Sequence, residues 1–186
     1  MALVAQACGG GSSPERSDPT IARATTTTGR YDVPEVIDEA YVNRVLAGLN
    51  AVEGDVLRIT MERRAYTDEA DRRLRAIYEE DDEFDFAVDA YTLEVIEGFP
   101  GVRPDPGDVA VSVVELVATA PSCILAEVTY DTSETALDPE VVPSGNWVVL
   151  VPSSQANDPY RLNATGWAYA YNRTSSAPPG DDRCAT

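Results

Sequence analysis

The side chains that could do chemistry in this sequence are carboxylates and tyrosines, because the chain contains no histidine. Histidine is the commonest general base and a common metal ligand, so its absence leaves acid–base work to Asp or Glu. Such a carboxylate must lie within hydrogen-bond reach of the proton that it takes, in a site dry enough to raise its pKa. By type and position, the candidate acids, bases and donors are Asp89, Tyr91, Glu115, Glu127, Asp131, Tyr169 and Tyr171.

Trp167, Tyr169 and Tyr171 alternate with small residues and are expected on one face of a strand. Together with Tyr91 they are candidate ligand-binding residues, since aromatic rings make good pocket walls. We expect no catalytic residue; the candidates for that role, if the protein is an enzyme, are Asp89, Tyr169 and Tyr171. The alternative, which the pattern favours, is that the rings pack in the core or across strands. Glu115 and Glu127 alternate with apolar neighbours and are expected on the solvent face of the sheet.

Several kinds of chemistry are disfavoured, and we expect neither a metal nor a cofactor. Asp81, Glu83 and Asp85 have the spacing of a calcium loop, but Phe86 stands where such a loop needs glycine. No phosphate-binding glycine loop is present. A serine or cysteine triad would lack its histidine. The acidic run over residues 79–85 is therefore interpreted as a solvated helix start.

The charge balance excludes some partners. Fourteen basic residues face 32 acidic ones, which gives a net charge of −18. Nucleic acid is therefore not expected as a partner, because no basic stripe could neutralise phosphates. The acidic surface is interpreted as a source of solubility, with a docking face for a cationic partner as the alternative. No segment approaches the roughly 20 apolar residues that span a bilayer.

The elements that must position these side chains change type part-way along the chain. Apolar residues at three- and four-residue spacing predict four helices in the first half. The first is expected from an Asp32 cap to near Asn50, and the second is expected to begin at Gly54. The third is expected to begin after a Thr67 cap, and the fourth is expected from about Asp82 to Glu97, with Gly98 ending it.

Runs rich in β-branched and aromatic residues then predict strands. The expected strands are Val109–Thr119, Cys123–Thr132, Asn146–Val151 and Asn163–Asn172. Helices followed by antiparallel strands indicate an α+β domain whose N-terminal helices cover one face of a sheet of about four strands.

The three cysteines, Cys8, Cys123 and Cys184, suggest export. Residues 1–8 are interpreted as a truncated lipoprotein signal in which Cys8 takes a lipid, and residues 9–30 as a flexible Gly/Ser/Thr linker. Residues 31–174 would form one domain, and a Cys123–Cys184 disulfide would tie down the tail over residues 175–186. The alternative is a buried Cys123 and a free Cys184 thiol.

The order of elements resembles the cone-shaped α+β fold of the nuclear transport factor two-like superfamily, which includes SnoaL-like and ketosteroid-isomerase-like proteins. A further resemblance is to secreted lipoproteins of high-GC Gram-positive bacteria that have no assigned activity. The segments that carry this second resemblance are residues 8–11, 31–38, 40–46, 121–124 and 163–167 and the late Cys184. The cone-shaped fold implies a curved sheet with a pocket, in which enzymes place an Asp or His base and often a Tyr; fold alone does not establish function.

The favoured function is that of a non-enzymatic extracytoplasmic domain, held at the bilayer through acylated Cys8. It would bind a small apolar ligand or a protein partner in the envelope. One alternative is an isomerase or dehydratase that uses Asp89 or another buried carboxylate with Tyr169 or Tyr171. Another is an accessory scaffold of an envelope transporter. A carboxylate in an enclosed pocket beside a donor would favour the enzyme, and a cone plugged by Trp167, Tyr91 and Phe84 would favour the scaffold.

Overall fold

The computed structural model of the protein describes residues 33–138, 141–154, 156–180 and 184. Cys8 and the linker over residues 9–30 lie outside the described residues, so the expectations about them stay predictions. Within the described residues the elements are, in chain order, α1 (Glu39–Arg63), α2 (Asp68–Arg75), α3 (Asp81–Glu97), β1 (Ala110–Ala120), β2 (Cys123–Asp131), β3 (Val141–Pro152) and β4 (Trp167–Thr174).

Helix α1 is one continuous helix, so the prediction of two helices broken before Gly54 is wrong. It begins after Asp38, whose Oδ1 accepts the Tyr41 N–H at 2.7 Å, and not at Asp32, which lies outside the described residues. Burial on both sides of Gly54 keeps the helix intact and overrides the weak helical propensity of glycine. A Cβ at Gly54 would lie 2.1 Å from Asp108 Oδ1, so a larger residue there would force the Asp108 carboxylate to move.

The local start and stop signals of the other two helices are confirmed. Thr67 caps α2, accepting the Ala70 N–H at 3.3 Å. Gly98 ends α3 in the left-handed region with φ of 81°, where a residue without a side chain is least strained. Helix α3 packs on the domain mainly through its first half, which holds its buried residues Glu83, Phe84 and Ala87.

The four strands form one antiparallel sheet in the order β1-β2-β3-β4, and the expected α+β class is confirmed. The helices cover one face of the sheet, where α1 and α2 pack against the inward side chains of the strands. Strand β3 begins at Val141 rather than Asn146, and β4 begins at Trp167 rather than Asn163. The main core includes Val42, Leu46, Leu49, Val56, Leu74, Ile77, Ile124, Val128, Val148, Leu150, Trp167 and Tyr169.

The opposite face of the sheet carries a second, smaller apolar cluster. It contains Leu125, Trp147 and Val149, with Cys123 at 0% exposure and Cys184 packed against it. The predicted disulfide joins Cys123 to Cys184 with a Cα–Cα distance of 5.2 Å. The bond holds Cys184 against this second cluster.

None of the helices in the described part of the chain is both long and apolar enough to cross a membrane.

Candidate functional site

The site is built around Glu53, a carboxylate in the middle of α1. Its carboxyl Oε1 accepts a hydrogen bond of 2.5 Å from the Tyr78 hydroxyl. Glu53 continues the stripe of α1 that carries Leu46, Leu49, Val56 and Thr60, all of them buried. The helix therefore holds a carboxyl group among the side chains that face the rest of the domain, and Glu53 itself is only partly exposed.

Tyr78 is held in place by a short bridge between the end of α2 and the outer edge of β4. The Tyr169 N–H donates to the Ile77 carbonyl at 2.7 Å, and the Glu79 N–H donates to the Tyr169 carbonyl at 2.8 Å. The rings of Tyr78 and Tyr169 consequently lie 5.4 Å apart. Asn163 reinforces this bridge, because its Nδ2 donates to the Ala76 carbonyl at 2.9 Å.

Glu53 and Tyr78 lie in the wall of a cavity of about 340 Å³. Most of the wall is apolar or aromatic, and the polar groups are few. The lining residues are Glu53, Leu57, Tyr78, Phe86, Ala87, Ala90, Tyr91, Glu94, Val102 and Asn172. Small ligands typically bind in clefts of roughly this size and composition.

A smaller cavity of about 50 Å³ shares Glu53, Leu57 and Tyr91 with the first and is also lined by Asn50. Asn50 is 2% exposed. Its Oδ1 accepts from the Tyr169 hydroxyl at 3.4 Å, while its Nδ2 has no partner among the described residues. The space suits a single small polar group or one water molecule beside this open donor.

Two further tyrosine hydroxyls fix the surroundings of Glu53. The Tyr91 hydroxyl donates to the backbone carbonyl of Glu53 at 3.2 Å, which ties α3 to α1. The Tyr130 hydroxyl donates to Asn172 Oδ1 at 2.5 Å, which orients the amide in the cavity wall. Hydrogen bonds thus connect both α3 and the sheet to the site.

Burial dominates the electrostatics of this cluster. It raises the pKa of Glu53 above its ordinary value, and the hydrogen bond from Tyr78 lowers that pKa only in part. Burial also raises the pKa of each surrounding tyrosine, and the nearby charge of Glu53 raises it further; these tyrosines are Tyr78, Tyr91, Tyr130 and Tyr169. The hydroxyls therefore stay protonated as donors, and Glu53 is the group that titrates.

The aromatic residues proposed from the sequence lie in different parts of the structure. Tyr91 lines the cavity. Trp167 and Tyr169 are buried in the main core at 1% and 0% exposure, as the packing alternative expected. Phe84 is also in that core, so these side chains do not fill the cavity.

Tyr171 lies on the other face of the sheet, and the prediction that it shares a face with Trp167 and Tyr169 is wrong. Consecutive residues Val149 and Leu150 pair with Tyr171 and Tyr169, which leaves Ala170 as the extra residue of a bulge. The bulge shifts the alternation by one residue, so that Tyr171 packs with the second apolar cluster.

The carboxylates proposed from the sequence lie outside the cavity. Asp89 is exposed on α3, and Glu115 is exposed on β1. Glu127 accepts the Gly145 N–H at 2.7 Å. Asp131 accepts the Ser133 N–H at 2.9 Å. The Glu127 bond joins β2 to β3, and the Asp131 bond stabilises a local turn.

Sequence reasoning missed Glu53, Tyr78 and Asn172. A signal for Glu53 was present: in a helix continued past Asn50, residues 42, 46, 49, 53, 56 and 60 follow one apolar stripe. A glutamate at such a position is expected to need a partner. Tyr78 and Asn172 gave no such signal, because their roles depend on contacts between distant segments.

No group of three or more Asp, Glu, Cys or His side chains in the described residues is placed to hold a metal ion. The chain matches no protein-family model, and the comparisons with curated proteins and with solved structures gave no match. The chemical character of the cavity therefore carries the functional argument.

We predict that Glu53→Gln makes the protein more stable than wild type near pH 8, with the advantage disappearing near pH 4. The pKa of Glu53 is raised on folding, so its stabilising contribution is fully present below the unfolded pKa of about 4.5. This contribution is lost as the pH rises through the folded pKa, with a limiting slope of about 1.4 kcal/mol per pH unit. Glutamine keeps an oxygen that can accept from Tyr78 and does not ionise.

Urea unfolding of both proteins from pH 4 to pH 9 measures this difference. The groups around Glu53 are Tyr78, Tyr91, Tyr130, Tyr169 and Glu94, and the four tyrosines stay neutral over most of this range because their pKa values are raised. Glu115→Gln, at an exposed site, is the control. A stability difference that does not change with pH would contradict the prediction.

Proposed function

We propose that this domain binds a small, largely apolar molecule in the cavity beside Glu53, with the Glu53 carboxyl group as its polar contact. The supporting observation is the partly buried carboxyl group of Glu53, hydrogen-bonded to Tyr78 at 2.5 Å, in the wall of an otherwise largely apolar cavity. Such a wall provides binding free energy through its apolar surface and orients the ligand through its few polar groups.

A matched pair of α3 substitutions tests this proposal. Ala90 lines the cavity and is exposed on the helix, so Ala90→Trp is expected to fill the cavity without disrupting the core. Asp89→Trp adds the same ring at a neighbouring exposed position outside the cavity. Native mass spectrometry of protein purified from its own host should show a bound small molecule in wild type and in Asp89→Trp, and none in Ala90→Trp. A bound species retained by Ala90→Trp, or none in wild type, would refute the proposal.

The proposed place of action is an extracytoplasmic space, with Cys8 as a lipid anchor. The Cys123–Cys184 disulfide supports this part of the proposal, because disulfides persist mainly in oxidising compartments. Mass analysis of the N-terminal peptide from the membrane fraction tests it. An unmodified Cys8 in that fraction would refute the anchor.

Acid–base catalysis is a second candidate function. The observation that favours it is the raised pKa of Glu53 beside the Tyr78 hydroxyl, since a carboxyl group tuned upward by burial can exchange protons near neutral pH. The Tyr78 hydroxyl would stabilise an oxyanion. Incubation of the co-purified molecule with the protein in D2O tests this candidate: deuterium incorporation that Glu53→Gln abolishes is expected for catalysis, and none is expected for binding alone.

A further inference from the structure

We infer that the ligand of this cavity is an organic cation, a protonated amine carried on an apolar body. The inference rests on the proposed binding function and specifies its ligand class. It is drawn from two carboxylates, Glu53 and Glu94, that share one cavity wall with the rings of Tyr78, Phe86 and Tyr91.

The charge of the wall is unbalanced. The wall contains two carboxyl groups, Glu53 and Glu94, and none of the described lining residues is basic. Glu53 accepts from the neutral hydroxyl of Tyr78. The Oε2 atom of Glu94 is buried and has no hydrogen-bond partner among the described residues. A carboxylate removed from water without an opposite charge is unfavourable, and an ammonium group in the cavity would supply that charge.

The aromatic rings favour the same ligand class. An ammonium group within about 6 Å of a ring face is attracted by the electron density of that face. The Phe86 ring already interacts with one cation, the Arg173 guanidinium at 4.8 Å from its centre. That guanidinium is paired with Glu83 at 2.8 Å, so its charge is already balanced outside the cavity.

Other ligand classes fit the wall less well. An anion would face two carboxylates without a basic partner. A metal ion would need more oxygen ligands than Glu53 and Glu94 supply, and most of the wall is apolar. A neutral apolar molecule would fill the space but would leave both carboxylates without a counter-charge.

Three probes of similar size and different charge test the inference: benzylammonium, benzyl alcohol and benzoate. Binding to the full chain is followed by NMR through the amide signals of Ala87, Ala90 and Val102, which lie in the cavity wall. Benzylammonium is expected to bind at least about tenfold more tightly than benzyl alcohol, and benzoate not to bind.

The variants distinguish attraction of the cation by the cavity carboxylates from attraction by the overall charge of −18. Glu53→Gln should reduce the preference for benzylammonium to within about threefold, while Glu115→Gln, which removes the same charge at an exposed site outside the cavity, should leave it unchanged. Glu94→Gln provides a second test if Glu53→Gln does not fold. Equal binding of benzylammonium and benzyl alcohol in the cavity would overturn the cation inference and leave the binding function standing. Absence of binding by every probe would overturn both.

Discussion

Loss of the Cys123–Cys184 disulfide is expected to lower the free energy of unfolding by about 4 kcal/mol. The bond joins residues 61 positions apart, so it removes a large loop-closure entropy from the unfolded chain. In the folded protein it also holds Cys184 against the second apolar cluster. There the Trp147 indole N–H donates to the Ser175 carbonyl at 3.2 Å.

Cys184→Ser is the more informative substitution, because Cys184 is only partly buried and a serine there can reach water. Cys123→Ser should be less stable still, since it places a hydroxyl at a site with 0% exposure. Urea unfolding followed by tryptophan fluorescence measures both variants against oxidised and reduced wild type. The prediction fails if reduced wild type and Cys184→Ser unfold at the same urea concentration as the oxidised protein.

Asn163→Ala is expected to lower the free energy of unfolding by about 3 kcal/mol or more. Asn163 is 1% exposed. Its Nδ2 donates to the carbonyls of Ala76 and Trp167, at 2.9 and 2.6 Å. Its Oδ1 accepts the N–H and hydroxyl of Thr165, at 2.9 and 2.8 Å. Alanine would leave several buried polar groups without partners, and each such group is unfavourable by about 1–3 kcal/mol.

The loss of these hydrogen bonds should also perturb the candidate site, because Asn163 supports the segment that carries Tyr78. Asn157→Ala is a matched control on the same connection, since its Nδ2 makes only longer hydrogen bonds, of 3.3 and 3.5 Å, to Glu79. Chemical denaturation compares the two variants, and the amide signals of Tyr78 and Glu79 report on the bridge to β4. Equal stability of the two alanine variants would contradict the prediction.

The same geometry bears on the sequence pattern Asn163-Ala164-Thr165, which is typical of a glycosylation acceptor. The amide of Asn163 is fully engaged inside the domain, so the folded protein does not present it to a modifying enzyme. Asn163 instead forms a buried connection between the end of α2 and β4.

The helix cap and the helix end were predictable from the sequence because their physical causes lie within a few residues. The Thr67 cap satisfies a nearby backbone N–H, and Gly98 relieves strain at one left-handed residue. The strands follow from β-branched and aromatic composition. The Cys123–Cys184 pair was inferred by assigning a use to each cysteine in an exported protein.

The features that the sequence did not predict depend on contacts between residues distant in the chain. The break proposed before Gly54 follows from residue propensity, which the burial of Val52 and Val56 overrides. The bulge at Ala170 is a property of the pairing with β3, so alternation within β4 could not place Tyr171. Glu53 and Tyr78 are 25 positions apart and meet only because the end of α2 lies along β4.

The uneven packing of α3 has a consequence for access to the cavity. Five of the lining residues, Phe86, Ala87, Ala90, Tyr91 and Glu94, come from this helix. Its buried residues all lie in its first half, while Leu93 and Ile96 in its second half are 54% and 76% exposed. Segments with few buried contacts open at low free-energy cost, and their amide protons exchange fastest with solvent. The second half of α3 is therefore the expected route by which a molecule enters, and a bound molecule should slow amide exchange there first.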